Sequence, residues 1–332
     1  MKIEGLKILV TGGAGFIGSH IVDELVRRGA GVIVYDNFSS GSIENLKDSK
    51  EDIKIVEGDI LDYAKLAECC KGVDIISHQA AQLEITTCID DPTKDLRINT
   101  EGSLNVFNAA VKTGAKKVLY ASSACVYGQA QYVPQDENHP TQPNWPYGVS
   151  KLAAEKYANI YAKYYDVSMV GLRYAITYGP REWYGRVLPV FLKRALENKP
   201  PVVWDGGQIR DFTCVVDAVT LHNLCIENDG VKNEIFNVST GVGTSILDLA
   251  NIVIDVLGLN LKPLYEIVAE GEMSDLVEGR KRLPLELKRM VLDNKKAKGY
   301  FGWEPKVTLR DGLIREMEWF VANRHRWGKM SY

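Results

Sequence analysis

The sequence has no long hydrophobic run, few histidines and no excess of charge of either sign. No stretch approaches the about 18 consecutive apolar residues of a membrane-spanning helix. The 40 Lys and Arg residues nearly balance the 43 Asp and Glu residues, and the formal net charge is −3. This balance gives neither the basic surface of a nucleic-acid-binding protein nor a polybasic membrane patch. We therefore expect no nucleic-acid partner and no membrane partner.

Cysteine is also scarce and follows no metal-binding pattern. The sequence contains no C-x-x-C pair and no histidines at zinc-ligand spacing, so we predict no metal site. The first apolar run, residues 8–10, is too short for a secretory signal. We therefore expect reduced thiols and a cytoplasmic protein. The cysteines are Cys69, Cys70, Cys88, Cys125, Cys214 and Cys225.

The composition is that of an ordinary globular protein, with 45% hydrophobic and 25% charged residues. A chain of 332 residues can bury a large core without disulfides or structural metal. At about 150 residues per domain, its length favours two domains.

The first half alternates short β-rich runs with helical patterns, which is typical of a parallel α/β sheet. Crossovers between parallel strands are right-handed, so this series predicts a Rossmann-type doubly wound sheet, an α/β fold. The predicted helices lie near residues 16–29, 62–71, 92–113 and 147–165. The predicted strands are residues 6–11, 31–35, 53–57, 73–78, 117–121 and 168–172.

A glycine-rich turn follows the first strand. The stretch TGGAGFIG at 11–18 leads straight into a helical pattern, with Gly12, Gly15 and Gly18 regularly spaced. Glycines there let the backbone approach a pyrophosphate, whose charge the helix N-terminus binds. Asp36 ends the second strand, where a carboxylate accepts adenosine ribose hydroxyls and repels a 2′-phosphate. The pattern predicts NAD rather than NADP.

The strand–helix alternation loosens after Arg173, which suggests a second domain. Residues 176–210 contain four prolines, and a strand near 234–238 and helices near 245–257 and 308–325 follow. We assign residues 1–175, plus about 210–240, to the NAD-binding Rossmann domain. We assign residues 176–209 and 241–332 to a smaller α/β domain that binds the substrate.

Tyr147 and Lys151 are one helical turn apart, on one face of a predicted helix. A cation beside a phenol favours the phenolate and lowers a pKa that is normally near 10. Ser122 and Ser123 follow the fifth strand, at the edge where a doubly wound sheet binds its ligands.

With these motifs, the sequence resembles the extended short-chain dehydrogenase/reductase family. Within the family it is most similar to nucleotide-sugar 4-epimerases of the UDP-glucose/UDP-galactose type. The resemblance covers nearly the whole chain. The matching stretches include TGGAGFIGSH (11–20), YDNFSSG (35–41), EGDI (57–60), HQAA (78–81), INTEGSLNVFNAA (98–110), SSACVYG (122–128), PYGVSK (146–151), LRYAITYGPR (172–181), IRDFTCVVD (209–217), FNVSTG (236–241) and FGWEPK (301–306).

The resemblance implies a role for most residues of the site. Ser123, Tyr147 and Lys151 correspond to the family's catalytic hydroxyl, general base and lysine, and Arg210 to the arginine that binds the sugar nucleotide's diphosphate. Glu286 corresponds to the acid at the uridine ribose, and Cys125 and Arg186 fall beside the sugar. The implied cofactor contacts, besides the glycines, Asp36, Tyr147 and Lys151, are Phe16, Ile17, Asn37, Asp59, Ile60, Ala80, Ala81, Asn99, Ser122 and Tyr174.

Related activities remain as alternatives. Dehydratases of the family place acids just after the catalytic hydroxyl, and decarboxylases place a glutamate where Cys125 stands, whereas this chain has Ala124 and Cys125. GDP-mannose 3,5-epimerases use a cysteine in a similar stretch, so Cys125 is either an acid/base or a small packing residue. Arg181 or Arg186 either pairs with a uronate carboxylate or lies on a solvated loop. An NAD-sensing regulator without turnover is the non-enzymatic alternative. Such proteins typically lack the tyrosine or the lysine, whereas this chain has Tyr147 and Lys151.

The resemblance therefore implies an NAD-dependent epimerase that inverts C4 of a UDP-hexose through a transient 4-keto intermediate. The sugar is left open between glucose/galactose, their N-acetylamino forms and glucuronate/galacturonate. Helix 148–165 has apolar residues on more than one face, so a partner must cover it. The resemblance implies a homodimer in which this helix and helix 92–113 pair with their copies.

Overall fold

The computed structural model describes residues 1–182 and 185–329 of the chain. Its strands follow the β-branched runs of the sequence, as expected for residues that pack well on a pleated surface. They are β1 (Lys7–Thr11), β2 (Gly31–Asp36), β3 (Ile53–Glu57), β4 (Ile75–His78), β5 (Lys117–Ser123), β6 (Ser168–Tyr174), β7 (Ile176–Tyr178), β8 (Val202–Trp204), β9 (Ile209–Cys214), β10 (Ile235–Val238), β11 (Gly243–Ser245), β12 (Leu264–Glu266) and β13 (Arg289–Met290).

The helices cover both faces of the main sheet and the second half of the chain. Short 3₁₀ turns at Ile43–Leu46, Lys50–Asp52, Ala124–Val126 and Arg324–Lys329 connect some of them. The helices are α1 (Phe16–Arg27), α2 (Tyr63–Cys69), α3 (Ile85–Asp90), α4 (Pro92–Leu96), α5 (Gly102–Thr113), α6 (Pro146–Tyr164), α7 (Val187–Leu196), α8 (Val215–Glu227), α9 (Ile246–Val256), α10 (Lys295–Phe301) and α11 (Leu309–Ala322).

The main sheet has seven parallel strands in the order β10-β6-β5-β4-β1-β2-β3. The strand order reverses between β1 and β4, where a doubly wound sheet opens a crevice for its ligand. Alternate residues of β1 enter opposite cores, Ile8 and Val10 with α1 and α8, and Leu9 with α2, α5 and α6. The predicted Rossmann-type α/β fold is confirmed.

A smaller sheet follows the main one. In this four-stranded sheet, β9 pairs with β7, β11 and β13, and a separate two-stranded sheet pairs β12 with β8. Their core with α7, α9 and α11 includes Phe191, Phe212, Leu249 and Phe320. Strand β9 belongs to this smaller sheet, and the next element that packs against the main sheet is α8, which begins at Val215.

The main sheet and the four-stranded sheet are joined at the end of β6. A single residue, Ala175, separates β6 from β7, and its N–H donates to the Val238 carbonyl at 3.1 Å. The chain therefore passes from one sheet to the other without a flexible linker at this point.

The predicted helix 92–113 is interrupted by a wider π-helical turn at Arg97–Glu101. The amide of Asn99 accepts from the Gln82 N–H and donates to the Gln82 carbonyl, both at 2.9 Å. It also donates to Asp95 at 2.7 Å. The turn thus directs Asn99 at the loop after β4.

Candidate active site

A cleft of about 620 Å³ follows the carboxyl ends of the main strands and continues to the smaller sheet. It brings together residues that lie far apart in the sequence. Of the predicted site residues, Asn99 is the exception: it is fully buried outside the cleft, where it fixes the Gln82 loop. The others line the cleft: Gly12, Gly15, Phe16, Ile17, Gly18, Asp36, Asn37, Asp59, Ile60, Ala80, Ala81, Ser122, Ser123, Cys125, Tyr147, Lys151, Tyr174, Arg186, Arg210 and Glu286.

The glycine-rich turn forms a cradle that side chains would fill. Gly12 has φ +67°, and a Cβ there would lie 2.5 Å from the Ala80 nitrogen. A Cβ on Gly18 would lie 2.1 Å from the Gly12 carbonyl oxygen. The first turn of α1 carries no acidic residue that would neutralise the positive end of the helix dipole. These features fit a bound pyrophosphate.

Asp36 is held rigidly beside this cradle. Its carboxylate accepts from the N–H groups of Ala14, at 2.9 Å, and Phe38, at 2.8 Å. Burial raises the pKa of Asp36, although these two donors oppose the shift. At neutral pH the fixed charge repels a 2′-phosphate.

We therefore expect NAD, with little NADP, to be released when the purified protein is denatured. Asp36→Asn removes the charge but keeps a hydrogen-bonding side chain, so NADP binding should improve by about tenfold, the factor of one charged contact. Enzymatic assay of the released nucleotides and titration of both cofactors check this. Recovery of mostly NADP from the wild-type protein would contradict the role given to Asp36.

Tyr147 and Lys151 occupy successive turns at the start of α6. Lys151 is buried, its Nζ donates to the Ala121 carbonyl at 3.0 Å, and it lies 5.9 Å from the centre of the Tyr147 ring. Burial lowers the pKa of Lys151 to about 8, and Asp95 opposes the shift. Burial raises the pKa of Tyr147, although Arg186 and Ser123 oppose the shift. The sequence predicts a lowered pKa for this phenol, but burial outweighs the effect of the neighbouring cations and raises it.

The two serines after β5 have different tasks. The Ser123 hydroxyl caps the turn Ala124–Val126, accepting from the Cys125 N–H at 3.1 Å, and interacts with Tyr147. The Ser122 hydroxyl instead donates to the buried Glu155 at 2.5 Å. Of the two hydroxyls, that of Ser123 therefore lies next to Tyr147, whereas that of Ser122 is bound to Glu155.

Behind these residues lies a buried polar network that our sequence reading did not identify. Arg173 donates to both carboxylate oxygens of Glu155, at 2.8 and 2.7 Å, and to the Tyr127 hydroxyl at 2.9 Å. The Tyr127 hydroxyl donates to Asn237 at 2.7 Å. The network joins α6 to β6 and β10, and so fixes the helix that carries Tyr147.

Cys125 lies at the substrate end of the cleft. Burial raises the pKa of its thiol, whereas Ser123, Arg186 and Arg210 lower it. The side chain also packs against an apolar cluster that includes Met290. Its position is compatible with either the packing or the acid/base interpretation.

Cationic side chains extend the cleft beyond Cys125. Arg210 lies 3.6 Å from Glu286, which also pairs with Arg282 at 3.1 Å. Burial lowers the pKa of Arg210, and Glu286 opposes the shift. Asp211 does not pair with Arg210 but accepts from the backbone at Thr240. The arginine side chains of this end suit a diphosphate.

Of the two arginines considered for a uronate, only Arg186 lines the cleft. Its Nη1 donates to the Thr177 carbonyl at 3.2 Å and lies 3.5 Å from Glu182. Arg181 faces away and pairs with Asp23 at 2.7 Å. Residues 183 and 184, between the two arginines, lie outside the described part of the chain.

Glu182 and Glu316, the latter on α11, are both fully buried and interact electrostatically. Burial raises the pKa of Glu182 to about 7, although Arg186 opposes the shift. Burial, and then the charge of Glu182, raises the pKa of Glu316 well above its ordinary value. Neighbouring ionisable groups on β7, β9 and α8 are Tyr178, Cys214 and Asp217.

An acid whose pKa is raised by folding stabilises the fold below its unfolded pKa and loses that contribution as the pH rises. Here the loss falls between about pH 4.5 and pH 7 for Glu182. Glu316→Gln keeps the shape of the protonated acid and cannot ionise. We expect it to raise the unfolding free energy at pH 8 and to leave that free energy almost unchanged at pH 5.

Urea unfolding at the two pH values checks this prediction. Glu318→Gln, an exposed change on the same helix, is the control and should have no pH-dependent effect. Equal stability of Glu316→Gln and the wild type at pH 8 would show that the pair is not ionised there.

Neither a metal site nor a membrane span is found in residues 1–182 and 185–329. No group of three or more His, Cys, Asp and Glu side chains there is placed to hold a metal ion. The helices of this part are too short or too polar to cross a bilayer.

Comparison with known proteins agrees with this geometry. The chain is 34% identical to the UDP-glucose 4-epimerase of Thermotoga maritima, solved with UDP-glucose, with a TM-score of 0.87 over 96% of this chain and 100% of that one. It is 33% identical to the UDP-glucose 4-epimerase of Mycolicibacterium smegmatis, over 95% of this chain and 98% of the other. It is also 31% identical to human dTDP-D-glucose 4,6-dehydratase, over 97% of this chain and 91% of the other.

The model of the NAD-dependent epimerase/dehydratase family matches residues 8–239, more than half of the chain. The match includes the glycine cradle, the Ser123–Tyr147–Lys151 group and Arg210. The extended short-chain dehydrogenase/reductase resemblance and the NAD cofactor predicted from the sequence are thereby confirmed. The chain belongs to the NAD-dependent epimerase/dehydratase family.

Proposed function

We propose that the protein is a UDP-hexose 4-epimerase. The observation that carries the proposal is the placement of Tyr147, Lys151 and Ser123 together in a cleft where Ala124 and Cys125 follow the catalytic hydroxyl. The acids that a dehydratase of the family uses at these two positions are absent from the sequence. The chain therefore has the groups for oxidation at C4 and lacks this pair of acids for elimination.

The chain's residues supply proton transfer and orientation. NAD, when bound, supplies reversible hydride transfer at C4 and a positive charge near the phenol. Tyr147 takes the proton of the sugar's 4-hydroxyl and later returns it, and Ser123 shares this hydrogen bond. Lys151 and Arg186 are the cations that favour the phenolate. Arg210 holds the diphosphate while the 4-keto sugar turns over in the pocket, so that its other face is reduced.

The experiment is incubation with UDP-glucose, UDP-N-acetylglucosamine and UDP-glucuronate, separately and in deuterated water. We expect a galacto-product from at least one of them, without deuterium on carbon, since a 4-epimerase returns the substrate's own hydride. A dehydrated product, or no reaction with any of the three, would refute the proposal.

The second candidate is a 3,5-epimerase that uses Cys125. Cys125 lines the cleft, and the charges of Arg186 and Arg210 lower the pKa of its thiol, which supports this alternative. Such an enzyme exchanges carbon-bound protons, so deuterium would appear on carbon and Cys125→Ala would abolish the reaction. For a 4-epimerase, Cys125→Ala should stay within a few-fold of the wild type. Tyr147 and Lys151 are both in place, which disfavours an NAD sensor without turnover.

We propose the cytoplasm as the site of this reaction. All six cysteines are free. Cys70, Cys88, Cys214 and Cys225 are buried, where they behave as small apolar side chains. Free thiols fit the reducing environment of the cytoplasm.

We also propose a two-fold homodimer through α5 and α6. Helix α6 packs its inner face on the sheet but leaves apolar and aromatic side chains exposed on another. Tyr157 and Tyr164 are 42% and 79% exposed, and Ile160 and Val149 are also exposed. A patch of this kind marks an interaction surface.

Light scattering at micromolar concentration should give a particle of twice 37.0 kDa. Ile160→Asp places a charge in the predicted interface and should yield monomers, whereas Val321→Asp, an equally exposed apolar position on α11, should not. A wild-type protein of monomer mass would reject the dimer.

A further inference from the structure

The segment after β2 is attached directly to the glycine-rich turn. The Ala14 carbonyl accepts from the Ser42 N–H at 3.0 Å and from the Asn45 side chain at 2.8 Å. The Ala14 N–H binds Asp36. Residues 37 and 39–41 of the same segment line the cofactor end of the cleft. The position of Asn45 therefore affects both the pyrophosphate cradle and the wall beside the adenosine.

The oxygen of the Asn45 side-chain amide accepts a hydrogen bond from the 3₁₀ turn Arg324–Lys329. Arg326 Nη1 donates to Asn45 Oδ1 at 3.0 Å, and both side chains are buried. The Arg326 guanidinium stacks over Trp319 at 5.2 Å and lies 3.7 Å from Glu44. An unbroken path of contacts thus runs from α11 through Asn45 to Ala14.

The charges around this path are complementary across the two halves of the molecule. Arg181 and Arg326 come from the second half, and Asp23, Glu44 and Asp48 from the Rossmann half. Burial lowers the pKa of Arg326; Glu44 opposes the shift and Arg181 adds to it. The acids offset the repulsion between the two arginines.

We infer that Arg326 is a positioning residue for the cofactor. Through Asn45 it holds residues 41–46 against the glycine-rich turn, and so sets the affinity for the adenosine half of NAD. Without Arg326, the buried Asn45 carbonyl loses its donor, and a buried polar group without a partner is costly. The segment must then move toward water, which loosens the wall formed by residues 37–41.

The test compares Arg326→Met, which keeps the length of the stem, with Arg324→Met in the same turn. Arg324 is exposed and stacks on Trp327. Each holoprotein is loaded with NADH, and its release into excess NAD is followed by fluorescence. We expect release about tenfold faster for Arg326→Met, the low end of the range for one charge-assisted hydrogen bond, and unchanged for Arg324→Met.

Two further measurements separate positioning from general destabilisation. The affinity for ADP-ribose should fall by the same factor as that for NAD, and the affinity for nicotinamide mononucleotide should not change. In a double-mutant cycle, the variant with both Asn45→Ala and Arg326→Met should release NADH no faster than Asn45→Ala alone, because both residues act through one contact.

The inference fails if Arg326→Met releases NADH within twofold of the wild-type rate. It also fails if the effects of Asn45→Ala and Arg326→Met on that rate multiply in the double variant. It also fails if affinity for both halves of NAD falls equally. If Arg326→Met does not fold, Arg326→Lys, which keeps the charge near Glu44 but not the planar fork, serves instead and should show faster release at an unchanged melting temperature.

Discussion

Tyr147→Phe should lower turnover by about 10²–10⁴-fold, the usual contribution of a general base. The change removes one hydroxyl and keeps the ring packing, so the fold and NAD binding should persist. The measurement is kcat with the UDP-hexose that proves to be the substrate, together with the bound NAD of the purified variant. Lys151→Met should also be severe, since it removes the buried cation one helical turn from Tyr147.

The control for this substitution is Tyr161→Phe on the same helix. Its hydroxyl binds Asn108 at 2.7 Å, outside the cleft, so turnover should change less than threefold, the effect of about half a kcal/mol. Ser123→Ala should be milder than Tyr147→Phe, because it removes a hydrogen bond but not the proton acceptor. Wild-type turnover in Tyr147→Phe would exclude it as the base.

Arg173→Met should reduce the free energy of unfolding by about 3–5 kcal/mol. The side chains of Arg173 and Glu155 are only 5% and 2% exposed, so the substitution leaves a carboxylate in the interior without its cation. Urea denaturation with a structural probe measures the loss. An exposed pair gives the contrast: Lys71→Met, which breaks the bridge to Glu68, should cost at most about 1 kcal/mol.

Glu155→Leu combined with Arg173→Met tests whether the stranded charge is the cause. With both charges removed, the double variant should regain much of the lost stability, because replacing a whole buried pair by apolar side chains is often nearly neutral. If Arg173→Met alone costs less than 1 kcal/mol, or if the double variant is less stable than both single ones, the pair does not act in this way.

The Rossmann half of the fold could be predicted because its signals are local. Each main strand is a short, mostly apolar run, and in the turn at 11–18 the neighbouring backbone leaves no room for side chains at Gly12 and Gly18. The other cofactor and catalytic residues were implied by the family resemblance, and all but Asn99 line the cleft. The position of Asn99 outside the cleft could not be predicted, because the π-helical turn that directs its side chain has no signature in hydrophobic periodicity.

The second half was harder because its elements break simple rules. Pro189 suggested an irregular segment, yet it lies in the first turn of α7, where a missing N–H costs nothing. The strands of the smaller sheet have two to six residues, too few for a clear alternation. The partners Glu155–Arg173 and Glu182–Glu316 depend on long-range packing, and a single sequence shows only that acids and bases are present.

The direct connection between β6 and β7 limits how the cleft can open. The connecting residue, Ala175, is itself hydrogen-bonded to β10, so a rotation of the two halves about this point would break the edge of the main sheet. Ligand exchange must then proceed mainly by displacement of the loops that border the cleft. We therefore expect the lifetime of the bound cofactor to depend on displacement of bordering segments such as 37–41 more than on a rotation at Ala175.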